Sequence, residues 1–258
     1  MEAKKVAFIT GAAGGIGLAI AKRLAQDGFA IAINDLREDS LVKAVDEVKA
    51  ECAECLGVAG DISSEESVKK MVDDIIKAYG RIDVLVNNAG VIYVGPIDEI
   101  TPERLLRTLN INVVSQFICM QAVLPYMKKQ GGGKIINAAS QAAYKESKYS
   151  LEYSTSKWAI RGMTRCLAAC LGEYNISVNA YCPGKVAQTD MQSRLSRIST
   201  LNGGDADTYF ENAIATKVPL KKATTKEDIA NFVAYLASPA GDIISGQAIM
   251  INGGEVMC

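Results

Sequence analysis

The sequence contains no histidine among its 258 residues. This absence excludes nucleophilic triads of the Ser-His-Asp and Cys-His types, and it excludes zinc sites built on an HExxH motif. Histidine is also the side chain that most often exchanges protons near neutral pH. Any acid–base chemistry in this chain must therefore use a tyrosine, lysine, cysteine or carboxylate whose pKa has been shifted.

The sequence also lacks the features of membrane and nucleic-acid proteins. No apolar run approaches the roughly 20 residues that span a bilayer. The N-terminal stretch MEAKKVAFITG enters a strand pattern at once, without the three regions of a signal peptide. The 28 basic and 29 acidic residues are interspersed and leave no basic face. We therefore expect a cytoplasmic protein that binds neither a membrane nor nucleic acid.

Seven cysteines are present, and Cys52 and Cys55 form a CxxC pair that could indicate zinc or redox chemistry. A zinc knuckle needs a second pair, and the nearest candidates, Cys166 and Cys170, have helical spacing and a mostly apolar setting. Free cysteine commonly behaves as a small buried hydrophobe. We predict structural thiols and no metal site, with a metal or redox role for the CxxC pair as the alternative.

Apolar runs of strand length alternate with amphipathic segments of helix length along almost the whole chain. The first run, Val6 to Thr10, is followed by the segment Gly15 to Gly28, in which apolar residues repeat every four positions. Such alternation predicts right-handed βαβ units and a doubly wound parallel sheet with helices on both faces. We predict an α/β fold in a single domain, residues 1–258.

One segment departs from this alternation. Lys185 to Thr224 is polar, contains Asn-Gly-Gly-Asp at 202–205 and carries two short amphipathic pieces. Nearly forty residues between a strand and a helix is long for a compact fold, and such segments are often lids or binding loops. We predict a substrate-binding lid at about 185–224.

A glycine-rich stretch, TGAAGGIG at 10–17, follows the first strand and opens the first helix. Glycines there allow backbone N–H groups and the helix N-terminus to approach a pyrophosphate. The spacing of Gly11, Gly15 and Gly17 differs from GxGxxG. Because of the strand–loop–helix context, we predict a dinucleotide site; the alternative is a turn that merely needs glycine.

The second strand ends at Asp35, eighteen residues after Gly17. A carboxylate at this point accepts hydrogen bonds from ribose hydroxyls and repels a 2′-phosphate. We therefore predict NAD as the cofactor. Arg37 is the group that favours the alternative, NADP.

Tyr153 and Lys157 lie four residues apart in a segment predicted to be helical, so they share one helix face. An ammonium beside a phenol favours the phenolate, so we expect Lys157 to lower the tyrosine pKa from its usual value near 10. Ser140, at the end of the fifth strand, is placed to donate a hydrogen bond where charge develops on oxygen. A Y-x-x-x-K pair on a helix usually lies on the protein surface without a catalytic role. The glycine loop and Ser140 favour a catalytic role here.

Together, TGxxxGxG, Asn-Asn-Ala-Gly at 87–90, Ser140 and Tyr153-x-x-x-Lys157 resemble the classical short-chain dehydrogenase/reductases over essentially the whole chain. The resemblance implies a Rossmann-type, seven-stranded sheet flanked by three helices on each side, assembled as a homotetramer. It also implies that nicotinamide exchanges a hydride with the substrate carbon while Tyr153 exchanges a proton with its oxygen.

The resemblance assigns the remaining roles. Asn112, rather than its neighbour Asn110, matches the asparagine that links the lysine to a proton relay through water. Lys157 also matches the residue that holds the nicotinamide ribose. The implied catalytic set is Asn112, Ser140, Tyr153 and Lys157. The implied cofactor contacts are Gly11, Gly15, Ile16, Gly17, Asp35, Asp61, Ile62, Asn88, Gly90, Tyr153, Lys157, Pro183, Gly184 and Val186.

Two groups within the family look closest. KRLAQDGFAIAINDL, KIINAASQA and AYCPG resemble acetoin/diacetyl reductases, also called 2,3-butanediol dehydrogenases. In those enzymes the glutamine after the serine contacts substrate, which implies Ser140, Gln141 and Tyr153 as substrate contacts. SKY, KVPLK and GGEVM instead resemble sorbitol-6-phosphate 2-dehydrogenases. The acetoin resemblance is spread over more of the chain, so a small ketone or alcohol is the first prediction and a polyol phosphate the alternative.

In the polyol alternative, Lys145, Lys148 and Lys185 would help to hold a phosphate; a solvated rim is the simpler interpretation of these lysines. The stretch PGKVAQTDM at 183–191 carries one residue more than the family's usual PGxVxTxM, which puts in doubt whether Thr189 reaches the nicotinamide amide.

A non-catalytic dinucleotide-binding protein on the same scaffold is the hypothesis of another class. Such a protein is expected to lack Tyr153, Lys157 or Ser140. All three are present, so we expect an NAD-dependent oxidoreductase acting on a small-molecule alcohol or ketone.

Overall fold

The computed structural model describes residues 4–51, 54–205 and 208–257. Within these residues, seven parallel strands form one sheet in the order β3-β2-β1-β4-β5-β6-β7. The strands are β1 Val6–Ile9, β2 Ala30–Asp35, β3 Cys55–Ala59, β4 Val84–Asn87, β5 Gly133–Ala138, β6 Ile176–Pro183 and β7 Ala248–Ile251.

Helices fill the crossovers between the strands. They are α1 Gly15–Gln26, α2 Glu38–Lys49, α3 Glu65–Tyr79, α4 Pro102–Leu109, α5 Ser115–Lys129, α6 Leu151–Leu171, α7 Asp190–Leu201, α8 Tyr209–Lys217 and α9 Lys226–Ala237. The predicted α/β fold with a seven-stranded parallel sheet is confirmed.

The sheet is buried on both faces, and its side chains alternate between two cores. Ala7 and Ile9 of β1 pack in the core formed with α1, α2 and α9, whereas Val6 and Phe8 pack in the core formed with α3, α5 and α6. These four side chains are at most 1% exposed. Fully burying one large aliphatic side chain contributes about 1.5–3 kcal/mol, so the three-helix layers stabilise the sheet from both sides.

The helical stretch from Pro102 to Lys129 is interrupted. Thr101 caps α4, because its hydroxyl accepts the Arg104 N–H at 3.2 Å, and Pro102 occupies the first helical position. A turn of π-helix at Asn110–Val114 then separates α4 from α5. Such a turn holds one extra residue and is frequent at functional sites.

Helix α3 shows how local sequence sets the ends of an element. The Ser64 hydroxyl caps its N-terminus by accepting the Ser67 N–H at 3.3 Å. Gly80 ends it in the left-handed conformation, with φ +77°, and donates its N–H to the Ile76 carbonyl. No helix among the described residues is long and apolar enough to cross a membrane.

We expect opposite effects from alanine at two helix ends. A Cβ on either Gly80 or Gly172 would meet no heavy atom within 4 Å, but only Gly80 has a positive φ. Gly80→Ala should therefore lower the free energy of unfolding by about 1–2 kcal/mol, and Gly172→Ala should raise it by about 0.4–1 kcal/mol. Urea unfolding at one fixed protein concentration measures both; equal shifts would contradict the explanation.

Candidate active site

A cleft of about 910 Å³ opens beyond the carboxyl ends of the strands. It lies where β1 has β2 on one side and β4 on the other, so the chain leaves the sheet in opposite directions at this point. Ligands of open α/β sheets bind at such a switch point. Most of the predicted site residues line it, namely Gly11, Gly15, Ile16, Asp35, Asp61, Ile62, Asn88, Gly90, Ser140, Tyr153, Lys157, Pro183, Gly184 and Val186.

The glycine loop has the shape of a cradle. Gly11 has φ +61°, and a Cβ on it would lie 2.8 Å from Ala89. Gly15 has φ +59° and faces open space at the start of α1, where helix N–H groups are unpaired. Gly17 lies behind the loop rather than on the cleft surface, because a Cβ there would be 2.6 Å from the Gly11 carbonyl oxygen. The loop therefore leaves room for an anion above Gly15.

Asn88 holds this loop in place. Its amide nitrogen donates to the Thr10 and Gly11 carbonyl oxygens at 3.0 and 2.9 Å, and its amide oxygen accepts the Tyr181 hydroxyl at 2.9 Å. The resemblance implied a cofactor contact, but the side chain of Asn88 is occupied by the protein. Sequence reasoning missed Tyr181; the signal was a phenol inside an apolar strand, which needs a hydrogen-bond partner when buried.

Two carboxylates, Asp35 and Asp61, also line the cleft, and Asp35 lies beside the glycine loop. One oxygen of Asp35 accepts the Ala13 N–H and the other accepts the Arg37 N–H, both at 3.3 Å. The Arg37 side chain is exposed beside it. Asp61 accepts the Ser63 N–H at 2.8 Å and hydroxyl at 2.7 Å. Hydrogen bonds from the loop backbone thus fix Asp35 at the end of β2.

Tyr153 and Lys157 lie together near the centre of the cleft, as their shared face on α6 predicts. Tyr153 is 7% exposed and Lys157 is 3% exposed. The Lys157 ammonium lies 5.3 Å from the centroid of the Tyr153 ring and donates to the Ala138 carbonyl oxygen at 2.8 Å. The last residue of β5 therefore anchors the amine beside the phenol.

The expected direction of the tyrosine shift is wrong for the structure. Burial raises the pKa of Tyr153 to about 12, and a hydrogen bond with Ser140 opposes that rise. Burial also lowers the pKa of Lys157 to about 8. Loss of solvation is the largest cause of both shifts, because burial disfavours the charged form of each group. The phenol is therefore protonated at neutral pH.

Ser140 and Asn112 complete the surroundings of this pair. Ser140 begins a short 3₁₀ turn after β5, and its hydroxyl accepts the Ala142 N–H at 3.1 Å. Asn112, in the π turn, is fully buried and bonds both backbone groups of Val91 at 2.8 and 2.9 Å. A Cβ on Gly90 would lie within 4 Å of both Asn112 and Lys157. Asn112 is thus beside the lysine, whereas Asn110 lies on the exposed rim.

An apolar wall faces the phenol. Ile92, Val94 and Tyr149 form a buried cluster with Tyr153, and side chains of α7 pack against it. The Tyr153 hydroxyl donates to the sulfur of Met191 at 3.8 Å. Arg197 links α7 to the same region, donating to the Val94 carbonyl oxygen at 2.9 Å and to a Glu99 carboxylate oxygen at 3.0 Å.

The extra residue before Thr189 forms a left-handed kink. Gln188 has φ +56°, and the chain then enters α7 with Thr189 as its cap, accepting the Gln192 N–H at 3.3 Å. Both Gln188 and Thr189 line the cleft. The kink absorbs the insertion and leaves Thr189 at the cleft, with its hydroxyl donated to the Val186 carbonyl oxygen at 3.3 Å.

Gln141 does not line the cleft. Its amide nitrogen donates to Glu255 at 3.0 Å, and Glu255 also accepts from Lys145 at 2.9 Å and from Lys185 at 2.5 Å. Lys148 lies apart from this group, 5.0 Å from the centroid of the Tyr149 ring. Lys148 therefore fits the interpretation of a residue on the solvated rim, but Lys185 does not, because its side chain is only 10% exposed. Glu255 lies in the GGEVM stretch quoted above, but the sequence pattern assigned it no role.

Among the described cysteines, Cys182 is close enough to Tyr153 and Lys157 to act on them electrostatically. Cys55 is buried in β3, where burial raises the pKa of its thiol to about 11. Cys52, the other member of the CxxC pair, lies outside the described residues. Cys166 and Cys170 are exposed on α6, and Cys182 is buried in β6 beside Tyr153 and Lys157.

Comparison with known proteins identifies the family. A family model described as short chain dehydrogenase matches residues 5–198. The diacetyl reductase [(S)-acetoin forming] of Staphylococcus epidermidis is 39% identical, with 98% of each chain covered. The L-2,3-butanediol dehydrogenase of Corynebacterium glutamicum is 35% identical over 97% of this chain and 98% of its own. The chain belongs to the short-chain dehydrogenase family.

Solved structures agree with this assignment. A crystal structure of NAD⁺-bound xylitol dehydrogenase superposes with a TM-score of 0.93 at 34% identity, covering 98% of this chain and all of that one. Actinorhodin polyketide ketoreductase with NADPH gives the same TM-score at 32% identity, covering 98% and 97%. The protein is an oxidoreductase that acts on CH–OH donors.

Alanine substitutions in the glycine loop test its packing. Gly17→Ala forces a methyl group against the Gly11 carbonyl and the Asn88 amide, so we expect it to destabilise the protein by about 1–3 kcal/mol. Gly14→Ala is the matched control, because a Cβ there meets no heavy atom within 4 Å; its effect should stay within about 0.5 kcal/mol. Thermal unfolding measures both, and similar Tm values would show that the loop is not packed as described.

Proposed function

We propose that the protein is an NAD(H)-dependent reductase that interconverts a small ketone and its secondary alcohol, of the acetoin/diacetyl type. The observation that carries this proposal is the buried pair Tyr153 and Lys157 with Ser140 beside it, at the centre of a dinucleotide-shaped cleft and facing an apolar wall. The similarity to a diacetyl reductase and to a butanediol dehydrogenase supports the same substrate class.

The residues present fit a nicotinamide dinucleotide. The open cradle above Gly15 suits the pyrophosphate, and Asp35 suits the adenosine ribose. Ile16, Asp61, Ile62, Gly90 and Lys157 follow the cleft between these points and the catalytic pair. When bound, the nicotinamide supplies or accepts the hydride. Asn88, Gly11 and Gly17 act on this cofactor indirectly, by shaping the loop.

Asp35 favours NAD over NADP. Its carboxylate is fixed by two backbone N–H groups and so presents a negative charge where a 2′-phosphate would lie. The NAD⁺-bound xylitol dehydrogenase and the NADPH-bound ketoreductase are equally similar in fold, so the choice rests on this residue and not on the comparison. Arg37, exposed beside Asp35, is what an NADP-binding alternative would use.

Tyr153 acts as the proton donor in the reducing direction. Burial keeps the phenol protonated at neutral pH, which is the form needed to give a proton to the carbonyl oxygen. Ser140 donates a hydrogen bond to the same oxygen as negative charge develops there. Lys157, with a pKa of about 8, remains largely charged at pH 7 and stabilises the phenolate left behind.

Asn112 positions the amine and closes the back of the site. Its side chain ties the segment after β4 to α6, through Val91 on one side and the Ser156 hydroxyl at 2.9 Å on the other. It is buried close to Lys157, and the proposed proton relay from that amine runs through water, as the resemblance implies, because a carboxamide does not itself take up and release protons.

The apolar wall limits the size and the polarity of the substrates that fit the cleft. Met191 lines the cleft in front of the buried Ile92 and Val94, and its side chain offers no strong hydrogen-bonding partner to a polyhydroxylated chain but packs well against methyl groups. This favours acetoin and diacetyl over a polyol. The polyol phosphate alternative would need Lys145, Lys148 and Lys185 to converge on a phosphate, whereas two of them bind Glu255 and the third lies elsewhere.

Residues 185–224 form the lid in this proposal. Helix α7 brings Met191 against the Tyr153 hydroxyl, and a substrate must displace that contact to reach the phenol. The Arg197–Glu99 ion pair is about half-exposed on both sides and is therefore weak enough to open. The lid would exclude water once the substrate is bound.

We also propose that the protein is a cytoplasmic homotetramer. Large apolar side chains are exposed on helices from both sides of the sheet. Phe117 and Trp158 are exposed on α5 and α6 of one layer, and Tyr235 is exposed on α9 of the other. Two distinct faces are what a dimer of dimers requires.

Tyr153→Phe tests the reaction. With NADH, the wild type should reduce diacetyl and acetoin faster than fructose 6-phosphate. Removing the phenol oxygen should lower kcat/KM for diacetyl by about 10²–10⁴-fold, the usual contribution of a positioned general acid. Assays that follow the absorbance of NADH measure both the relative rates on the three substrates and kcat/KM for diacetyl.

The control for this variant is Tyr126→Phe, since the Tyr126 hydroxyl is outside the cleft and bonds only an exposed Asp73 at 3.3 Å. It should retain wild-type rates. Equal rates for Tyr153→Phe and the wild type would eliminate Tyr153 as the proton donor, and a faster reaction with fructose 6-phosphate would replace the proposed substrate class by the polyol phosphates.

Asp35→Ala tests the cofactor. The wild type should prefer NADH to NADPH, and the variant should reduce that preference by about tenfold or more, since about 1.4 kcal/mol of repulsion is removed. Steady-state kcat/KM for each cofactor gives the ratio. Asp39→Ala, which removes an equal charge from the exposed start of α2, should leave it unchanged. A wild type that prefers NADPH would refute the assignment.

A further inference from the structure

Segments distant in sequence meet at one carboxylate behind the substrate side of the cleft. Glu255, after β7, accepts hydrogen bonds from Gln141 and Lys145 in the β5–α6 connection and from Lys185 in the β6–α7 connection. Its side chain is 3% exposed. The ammonium of Lys217, at the end of α8, lies near enough to act on Lys185 electrostatically.

A tight backbone turn before Glu255 fixes the position of its carboxylate. Gly253 and Gly254 have φ +62° and +86°, and a Cβ on Gly253 would lie 2.6 Å from Val218. Asn252 fastens the turn, because its side chain accepts the Gly254 N–H at 3.0 Å and donates to the Val256 carbonyl oxygen at 2.9 Å. The carboxylate is thus held in place by the fold and not by a flexible tail.

The electrostatics show how strongly the lysines depend on this carboxylate. Burial alone would raise the pKa of Glu255, but hydrogen bonds from Lys185, Gln141 and Lys145 lower it to about 2. The pKa of Lys185 is lowered by burial and by the charges of Lys145 and Lys217, with Glu255 opposing both effects. Without Glu255, these ammoniums would have no anion in hydrogen-bonding contact among the described partners.

We propose that Glu255 is a specificity-determining residue: an internal anion that neutralises Lys145 and Lys185, which would otherwise attract the phosphate of a substrate. The protein thereby restricts its site to uncharged ketones and alcohols. This proposal rests on the proposed function and adds the reason for its choice of substrate. It also explains why Gln141, next to Ser140, is turned toward Glu255.

The physical argument is one of charge balance. A carboxylate shared by two ammoniums satisfies them and repels a second anion over the same few ångströms. Replacing it with the isosteric amide preserves shape and an acceptor oxygen but frees one unit of positive charge in a nearly closed setting. A site that rejects phosphate would then accept it.

Glu255→Gln tests this proposal with two probes. Inorganic phosphate, titrated by calorimetry, should bind the variant at least about tenfold more tightly than the wild type, which corresponds to about 1.4 kcal/mol. The ratio of inhibition constants for fructose and fructose 6-phosphate, measured against diacetyl reduction, should shift toward the phosphate ester by a similar factor. Fructose is the control for binding of the sugar without its phosphate group.

Two matched variants separate this effect from a general change in charge. Glu146→Gln removes one negative charge from an exposed position on the same connection and should leave both quantities unchanged. Glu255→Gln combined with Lys185→Gln should abolish the gained phosphate binding. If Glu255→Gln does not fold, Glu255→Asp, which withdraws the carboxylate by one methylene, should give a smaller gain in the same direction.

Unchanged phosphate affinity in a folded Glu255→Gln protein would overturn the proposal, and so would tighter phosphate binding with an unchanged fructose ratio. The phosphate titration does not require turnover. A wild type without ketone reductase activity would therefore end the proposed function while the titration still reports on Glu255, so the two failures are distinguishable.

Discussion

The candidate site depends on one half-buried amide, that of Asn88. Asn88 bonds two carbonyl groups of the glycine loop and the Tyr181 hydroxyl, so it joins the ends of β1, β4 and β6 across the switch point of the sheet. Hydrogen bonds in such a setting are costly to leave unmade, since each orphaned buried partner costs about 1–3 kcal/mol. The open cradle above Gly15 exists because this amide closes the space behind it.

Burial governs the chemistry next to that cradle. Tyr153 and Lys157 are placed where both lose solvation, and their pKa values move apart, that of Tyr153 up to about 12 and that of Lys157 down to about 8. The pair therefore consists of a neutral phenol, which can donate a proton, beside an ammonium whose proton is easier to remove than usual. The same desolvation acts on Glu255, but three hydrogen-bond donors outweigh it there and keep the carboxylate charged.

Local patterns in the sequence were enough to predict the sheet, its helices and the residues of the glycine loop, because periodicity and glycine spacing are read over a few residues. The role of Asn88, the cluster at Glu255 and the direction of the Tyr153 shift were not predictable in this way. Gln141 and Glu255 are 114 residues apart, and Tyr181 and Asn88 are 93 apart. Their contacts depend on the register of strands that meet only in the folded sheet.

The π turn at Asn110–Val114 sets the rotational phase between two helices. An α-helix advances by about 100° per residue, so deleting one residue from this turn would rotate α4 by that angle relative to α5. Asn112 would then leave Lys157, and the exposed apolar side chains of α4 would face a different direction. An insertion or deletion between Pro102 and Lys129 would therefore change the rotation of α4 relative to α5 unless it added or removed whole helical turns. This constraint holds although much of this surface is open to solvent.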